Sequence, residues 1–345
     1  MDTLRQQDIF FIILKNEPIG TSGILDRIAQ KVSIPTINRE LSKLKEEKII
    51  FSEGRGPGTK YRINLHGLIS ANINPEDYFK IDIDNRKILE KYNPSIFDCL
   101  KEMSLFTKKE IGLLDKMTHA YNKKLERTST ANYKREFERL MIELSWKSSQ
   151  IEGNTYDLLD TEQLLKYNIP APNHTEEEAI MLLNHKAAIE YTRENADLFS
   201  HLSINKIVDI HTLLTQKLGI SKSIRNRLVR ITGTNYTPPD NQFVIEEEVE
   251  NLCKSVNAID NAFEKALRTL LLISYIQPFD DGNKRTARLT TNAVLMAANK
   301  CPLSYRSISP GEYKKSVLLF YELNNVTAFK RIFIDQYQFA VDHYF

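Results

Sequence analysis

The sequence predicts a mainly helical protein with a small α+β unit at its start and one β-hairpin between later helices. Three observations lead there. Apolar residues recur at three- and four-residue intervals, as in Phe137, Leu140, Met141 and Leu144, which a helix gathers on one face. Two stretches read as β instead: Ile49-Ile50-Phe51 and Tyr61-Arg62-Ile63 on either side of a Gly54-Arg55-Gly56-Pro57-Gly58 turn, and the alternating Val229-Arg230-Ile231-Thr232 before Gly233. Glycine is sparse, at 12 in 345 residues, while charged residues make up 27%, as in a helical cytosolic protein.

The first unit is expected over residues 1–66. Ile9 to Leu14 lies in one amphipathic helix. Ile24, Leu25 and Ile28 face inward from a second helix over Thr21 to Lys31, and Ile37, Leu41 and Leu44 from a third over about Thr36 to Glu47. Three short helices followed by a hairpin resembles a winged helix-turn-helix. That resemblance implies that Thr36, Asn38 and Arg39 start a recognition helix facing base edges, with Arg55 on the wing near phosphates. Through Arg62 there are eleven Lys and Arg against eight Asp and Glu. So small an excess suits a weak or dimer-dependent reader of double-stranded DNA. The alternative is a winged helix that binds protein or only forms a homodimer.

Residues 67–105 read as a connector packed on a larger domain over 106–345. In that domain a helix over about 135–153 stops at Gly153-Asn154 and carries Ser148 and Glu152 inward at its last turns. A carboxylate there is opposed by the helix dipole and needs a cation if buried. The hairpin is expected over about 224–245, with turn chemistry at Thr232-Gly233-Thr234-Asn235.

The apolar run Leu270 to Ile276 then leads into Gln277-Pro-Phe-Asp-Asp-Gly-Asn-Lys-Arg-Thr-Ala-Arg288. This predicts a buried helix, a tight loop at Gly282-Asn283 and a second helix opening at about Lys284. Unpaired N–H groups at such an opening attract phosphate. Lys284, Arg285 and Arg288 add cations, and Asp281 adds an oxygen ligand suited to phosphate-bound Mg²⁺. Taken bare, the segment is a polyphosphate-plus-metal site.

The same residues 277–288 resemble the Fic signature, His-x-Phe-x-(Asp/Glu)-Gly-Asn-Gly-Arg-x-x-Arg, matching at Phe279, Asp281, Gly282, Asn283, Arg285 and Arg288. Fic proteins are mostly helical and usually move AMP from ATP onto a hydroxyl of a target protein. The resemblance implies that Asp281 holds metal, that Gly282 and Asn283 line an anion nest, and that Arg285 and Arg288 hold the outer phosphates of ATP or another nucleoside triphosphate. Ser148, Glu152 and Gly153 fit the family's inhibitory pattern, (Ser/Thr)-x-x-x-Glu-(Gly/Asn), which implies that Glu152 takes Arg288 away from the nucleotide. Val229, Arg230, Ile231, Thr232 and Gly233 resemble the family's flap, a hairpin that docks an extended segment of the target protein by strand addition.

Two positions depart from the signature. Gln277 stands where the family has its catalytic histidine, and a carboxamide has no usable basic lone pair near neutral pH. Losing a general base removes roughly 10²–10⁴ in rate, about 3–5 kcal/mol. Lys284 stands where the commonest version has glycine, as in Doc toxins, which are phosphotransferases. The sequence therefore supports two functions. One is a transferase of AMP or another phosphate-containing group, restrained by Glu152 and weak or inactive in AMP transfer. The other is a DNA-binding regulator whose degenerate Fic domain senses a nucleotide or a protein partner.

Composition narrows little more. A net charge of +2 gives no global nucleic-acid or membrane signal. No apolar stretch approaches membrane-spanning length, and Cys99, Cys253 and Cys301 lack metal spacing, so a cytoplasmic protein is expected.

Overall fold

The structure is a computed structural model that describes residues 4–345; the first three residues of the expected N-terminal unit lie outside it. That unit consists of α1 (Leu4–Asn16), β1 (Ile19–Gly20), α2 (Thr21–Leu25), α3 (Ile34–Glu46), β2 (Ile50–Glu53) and β3 (Lys60–Ile63). The strands form an antiparallel sheet in the order β1-β3-β2, with Ile50 opposite Ile63 and Ile19 opposite Tyr61. Ser33 caps α3, ahead of Pro35 in its first turn, and Ile37, Leu41 and Leu44 are buried on one face. Gln6 donates to Glu40 at 3.0 Å and ties α1 to α3. The second helix is shorter than its expected span to Lys31. Only Ile24 of α2 is fully buried, and Leu25, Ile28 and Val32 pack against the core only in part.

The connector contributes α4 (Leu65–Ser70), α5 (Pro75–Tyr78) and α6 (Ile96–Glu102). The helical body follows as α7 (Lys108–Arg127), α8 (Thr130–Ile151), α9 (Leu158–Tyr167), α10 (Glu176–Glu194), α11 (Ile204–Leu214), α12 (Gln242–Asn257), α13 (Ala262–Ile276), α14 (Asn283–Ala297), α15 (Pro310–Leu323) and α16 (Thr327–His343). Side-chain caps start most of these helices. Thr107 with Glu110 and Thr175 with Glu178 make capping boxes for α7 and α10, and Asn261 caps α13. The antiparallel pair α13 and α14 is the centre of the body, and every residue of α13 from Phe263 to Ile276 except Lys265 is buried. Helix α15 serves two neighbours. Val317 and Leu318 line a cleft beside the α13–α14 loop, whereas Leu319 and Leu323 join the core of the N-terminal unit.

The expected hairpin at 224–245 is not formed: among the described residues its limbs share no strand pairing, and its one bridge joins Thr237 to Lys91 of the connector. The physical reason is where the backbone bonds go. The Arg225 amide donates to Pro278 O at 3.0 Å, Thr237 N to Glu90 O at 2.8 Å, and Tyr92 N to Thr237 O at 3.0 Å. The Arg225 guanidinium occupies the space between the limbs, donating to Arg227 O at 2.6 Å and Pro239 O at 2.5 Å. Pro238 and Pro239 bring no N–H groups to a ladder.

Candidate functional site

The α13–α14 loop is locked from within. Gln277 ends α13 in the left-handed region at φ 52°, with its N–H on Ile273 O at 3.1 Å. Asn283 clamps the turn, accepting from Phe279 N at 2.8 Å and donating to Phe279 O at 2.7 Å. Gly282 adopts φ +79°, a conformation that favours glycine, and a Cβ there would be slightly tight against Thr215 at 3.3 Å. No side chain caps α14 at Gly282. The N–H groups of Asn283, Lys284 and Arg285 precede the first intrahelical bond, from Thr286 N to Gly282 O at 2.9 Å. They lie at the positive end of the α14 dipole, beside a cleft of about 340 Å³.

Each sequence-predicted residue can now be placed. The cleft is lined by Glu152, Val229, Arg230, Ile231, Thr232 and Gln277, and by Asp281, Gly282, Asn283 and Lys284 from the loop. Gly233, at φ +91°, turns the chain beside Leu318. Asn283 reaches the nest through its backbone, because its carboxamide holds the loop. Arg285 and Arg288 lie behind the cleft wall, with side chains 2% and 0% exposed. Their place at the surface is taken by Glu152, whose Oε1 accepts from Arg288 at 2.9 Å, while Lys284 lies 3.3 Å from its Oε2.

Helix α8 delivers that carboxylate. Phe137, Leu140, Met141, Leu144 and Ser148 are buried on one face, and Glu152 is the C-cap. Gly153 at φ +105° stops the helix, with Asn154 N donating back to Ser149 O at 3.1 Å. Burial alone would raise the Glu152 pKa, but Arg288 and then Lys284 hold the carboxyl down to about 2. Ser148 secures the same arginine: its Oγ accepts from Arg288 Nε at 2.9 Å and its carbonyl accepts from Nη2 at 2.9 Å. The same Oγ shares a hydrogen bond with His185 Nε2, 2.8 Å away. Burial, and then Arg288, lowers the His185 pKa to about 3, which keeps the ring neutral.

Gln277 offers no base. Its Nε2 donates to Ser274 O at 2.6 Å and Tyr321 Oη at 3.0 Å, so the side chain is fixed. His211 folds under the loop although it lies 66 positions before Gln277. Its ring stacks on Phe279, with centroids 3.6 Å apart, and its Nε2 donates to Asp281 O at 3.0 Å. Burial lowers its pKa to about 4, and its Nε2 proton is already engaged, so it is a support for the loop. Of the two acids, Asp280 is paired with Arg227 at 2.7 Å. Asp281 is 70% exposed, with Oδ1 on Gly282 N at 2.6 Å and Oδ2 3.6 Å from Arg285.

Among the described residues no three His, Cys, Asp or Glu side chains group as a metal site. A single exposed carboxylate fits Mg²⁺ only when phosphates supply other oxygens. Sequence reasoning missed Arg225, His185 and Lys314, which also lines the cleft. The first two act through contacts 52 and 37 positions away, and no local pattern announces them. In the N-terminal unit Asn38, Arg39 and Arg55 are exposed, while Thr36 is half-buried with its hydroxyl on Ser33 at 2.9 Å. No helix among the described residues is long and apolar enough to cross a membrane.

Comparison with known proteins finds likenesses for part of the chain. A family model described as Fic/DOC family matches residues 201–295. Protein adenylyltransferase Fic of Nematostella vectensis is 27% identical over 185 residues, covering 50% of this chain and 42% of its own length. Protein adenylyltransferase fic-1 of Caenorhabditis elegans is 26% identical over 174 residues, covering 48% and 34%. The chain thus spans less than half the length of these curated relatives. Among solved structures, a portion of C. elegans Fic-1 matches with a TM-score of 0.59 at 20% identity, over 68% of this chain and 71% of that one. A Fic domain containing signaling protein from Bacteroides thetaiotaomicron matches with a TM-score of 0.56 at 20% identity, over 67% and 94%. At these identities the likeness shows the fold, and together with the family match it means that residues 201–295 carry a Fic/DOC domain.

Proposed function

We propose that the cleft binds a nucleoside triphosphate, ATP or a close relative, with Mg²⁺, and that Glu152 competes with the outermost phosphate for Arg288 and Lys284. The observation that carries this reading is the Glu152–Arg288 contact at 2.9 Å, which puts a carboxylate beside two cations and the open end of α14. A phosphate is the stronger acceptor for such a constellation, and the helix end favours an anion of either kind. Asp281 would hold the metal together with phosphate oxygens, and the metal would offset charge on them. The N–H groups of Asn283 and Lys284 would take one phosphate. Arg285 and Arg288 would take the outer ones once Glu152 moves aside.

The curated relatives are named protein adenylyltransferases, so the reaction proposed for this scaffold is transfer of AMP or another phosphate-containing group to a target-protein hydroxyl. The target would dock as an extended segment along Val229 to Thr232, the limb that faces the cleft. In this chain the proton acceptor is lacking. Gln277 is anchored by its own amide, and neither His185 nor His211 presents a free basic nitrogen to the cleft. AMP transfer is therefore weak or absent.

That same anchoring favours a second reading, in which the domain senses nucleotide or a protein partner for a winged-helix DNA reader. Its support is the helix and strand order of the first unit, with Asn38, Arg39 and Arg55 exposed. DNA binding would be weak or dimer-dependent.

Incubation of the chain and its Glu152→Gly variant with Mg²⁺ and ATP labelled at the α or γ phosphate separates the readings. Protein label from the α position supports AMP transfer, and label from the γ position supports a kinase. ATP binding without label supports the sensor. No ATP binding by either protein contradicts both.

A further inference from the structure

A second cavity, of about 790 Å³ against about 340 Å³ for the cleft, opens between α1 and the connector. Its volume lies within the range of small-molecule sites. Phe11 and Leu14 of α1 make one apolar wall, and Ile73, Tyr78 and Ile81 make the other. Lys15, Arg86 and Lys87 also line it, against Asp77 as the acid, and Asp77 is paired with Lys80 at 2.8 Å. Lys87 is held loosely, 3.7 Å from Glu17. The Arg86 side chain is only 5% exposed, and its Nε–H has no acceptor although its Nη atoms are bonded. The cavity therefore joins an apolar interior to a basic rim, on which Arg86 is paired with Glu322 at 3.0 Å and Lys87 faces Glu17, while Lys15 has no acidic partner among the described residues.

We propose that this cavity binds a small amphipathic monocarboxylate, its tail between α1 and Tyr78 and its carboxylate at Lys15, Arg86 and Lys87. A polyphosphate is disfavoured by the wall, which has no open helix end of the kind that α14 gives the cleft. An uncharged lipid would leave Lys15 without an anion. The site stands apart from the nucleotide reading and does not depend on it.

Its position gives it a route to the cleft. Arg86 donates to Glu322 Oε1 at 3.0 Å on α15 and to Gly233 O at 3.0 Å at the turn beside the cleft. Tyr78 donates to the same Glu322 at 2.8 Å. A carboxylate that draws on Arg86 competes with both acceptors, so occupancy would loosen the turn that follows Val229 to Thr232.

Calorimetric titration of the full chain with sodium octanoate, and with 1-octanol as the uncharged match, tests the proposal. One saturable octanoate site is expected, with octanol at least tenfold weaker. The Lys15→Gln/Lys87→Gln variant changes two exposed residues and should weaken octanoate about tenfold while leaving octanol unchanged. Ile81→Trp, at a half-buried wall position, should weaken both ligands. Thermal melts of the variants distinguish lost binding from lost folding. Absence of a saturable octanoate site, equal affinity for octanol, or an unchanged octanoate Kd in the double variant would each overturn the proposal.

Discussion

The two walls of the cleft are built on opposite plans. The loop at 277–288 holds itself: Asn283 clamps Phe279, Gly282 supplies the left-handed turn, and the end of α14 stays uncapped. The opposite segment, at 225–240, has no ladder of its own; it is held by Arg225 at its start and, from outside, by the connector and Arg86. A phosphate grip has to be rigid before the anion arrives, because the fixed dipoles then need no rearrangement. A surface that accepts an added strand has to keep unpaired backbone on one side. The contrast teaches that preorganisation here belongs to the loop at 277–288, the proposed phosphate end, whereas the proposed docking end at 225–240 takes its order largely from distant residues.

The largest expected effect would break the comparison if it failed. Adding Gln277→His to the Glu152→Gly variant places an imidazole at the end of α13, and α-phosphate label on protein should rise by at least about 10²-fold. Persistence of background label while ATP binds would mean that the loop is not preorganised for transfer. Next, Arg225→Ala leaves several buried carbonyls unpaired and should cost roughly 2–4 kcal/mol in denaturant unfolding. Faster amide exchange should be concentrated at 225–240, and uniform exchange across α13 and α14 would contradict the borrowed-order account.

The Glu152 pair sharpens the comparison through pH. Its carboxyl is lowered from 4.5 to about 2 in the folded protein, so its contribution is complete above pH 4.5 and is lost as pH falls through about 2. The stability advantage of the native chain over Glu152→Gln should be flat from pH 5 to 8, at most about 3 kcal/mol, and should vanish between pH 4.5 and 2. An advantage that disappears near pH 6 would point to a histidine instead. The smallest effect concerns the N-terminal unit: Arg39→Ala should weaken a DNA gel shift by about 1 kcal/mol, roughly fivefold. No change would remove α3 from the proposed DNA contact.

Much of the geometry of the loop at 277–288 was legible because its determinants are local. Apolar spacing along α8 aims Glu152 inward, and twelve consecutive residues carry the turn, the clamp and the cations. The mainly helical class follows from the same spacing. The hairpin was misread because alternation at Val229 and Ile231 reports which side is half-buried, not which strand lies alongside. Arg225 decides that question from between the limbs, and Glu90 to Tyr92 supply partners from over 140 positions away. The hold of Lys284 on Glu152 was equally hidden, since the sequence puts the lysine at a phosphate nest and is silent on what fills that nest at rest.

The central claim is that a triphosphate site survives beneath Glu152. Calorimetry with Mg²⁺ and ATP on the native chain and on Glu152→Gly tests it most directly. The account predicts one site in the variant, at least about tenfold tighter than in the native chain, equivalent to 1.4 kcal/mol or more. Equal affinities would contradict the role given to the glutamate, and no binding to either protein would contradict the site itself.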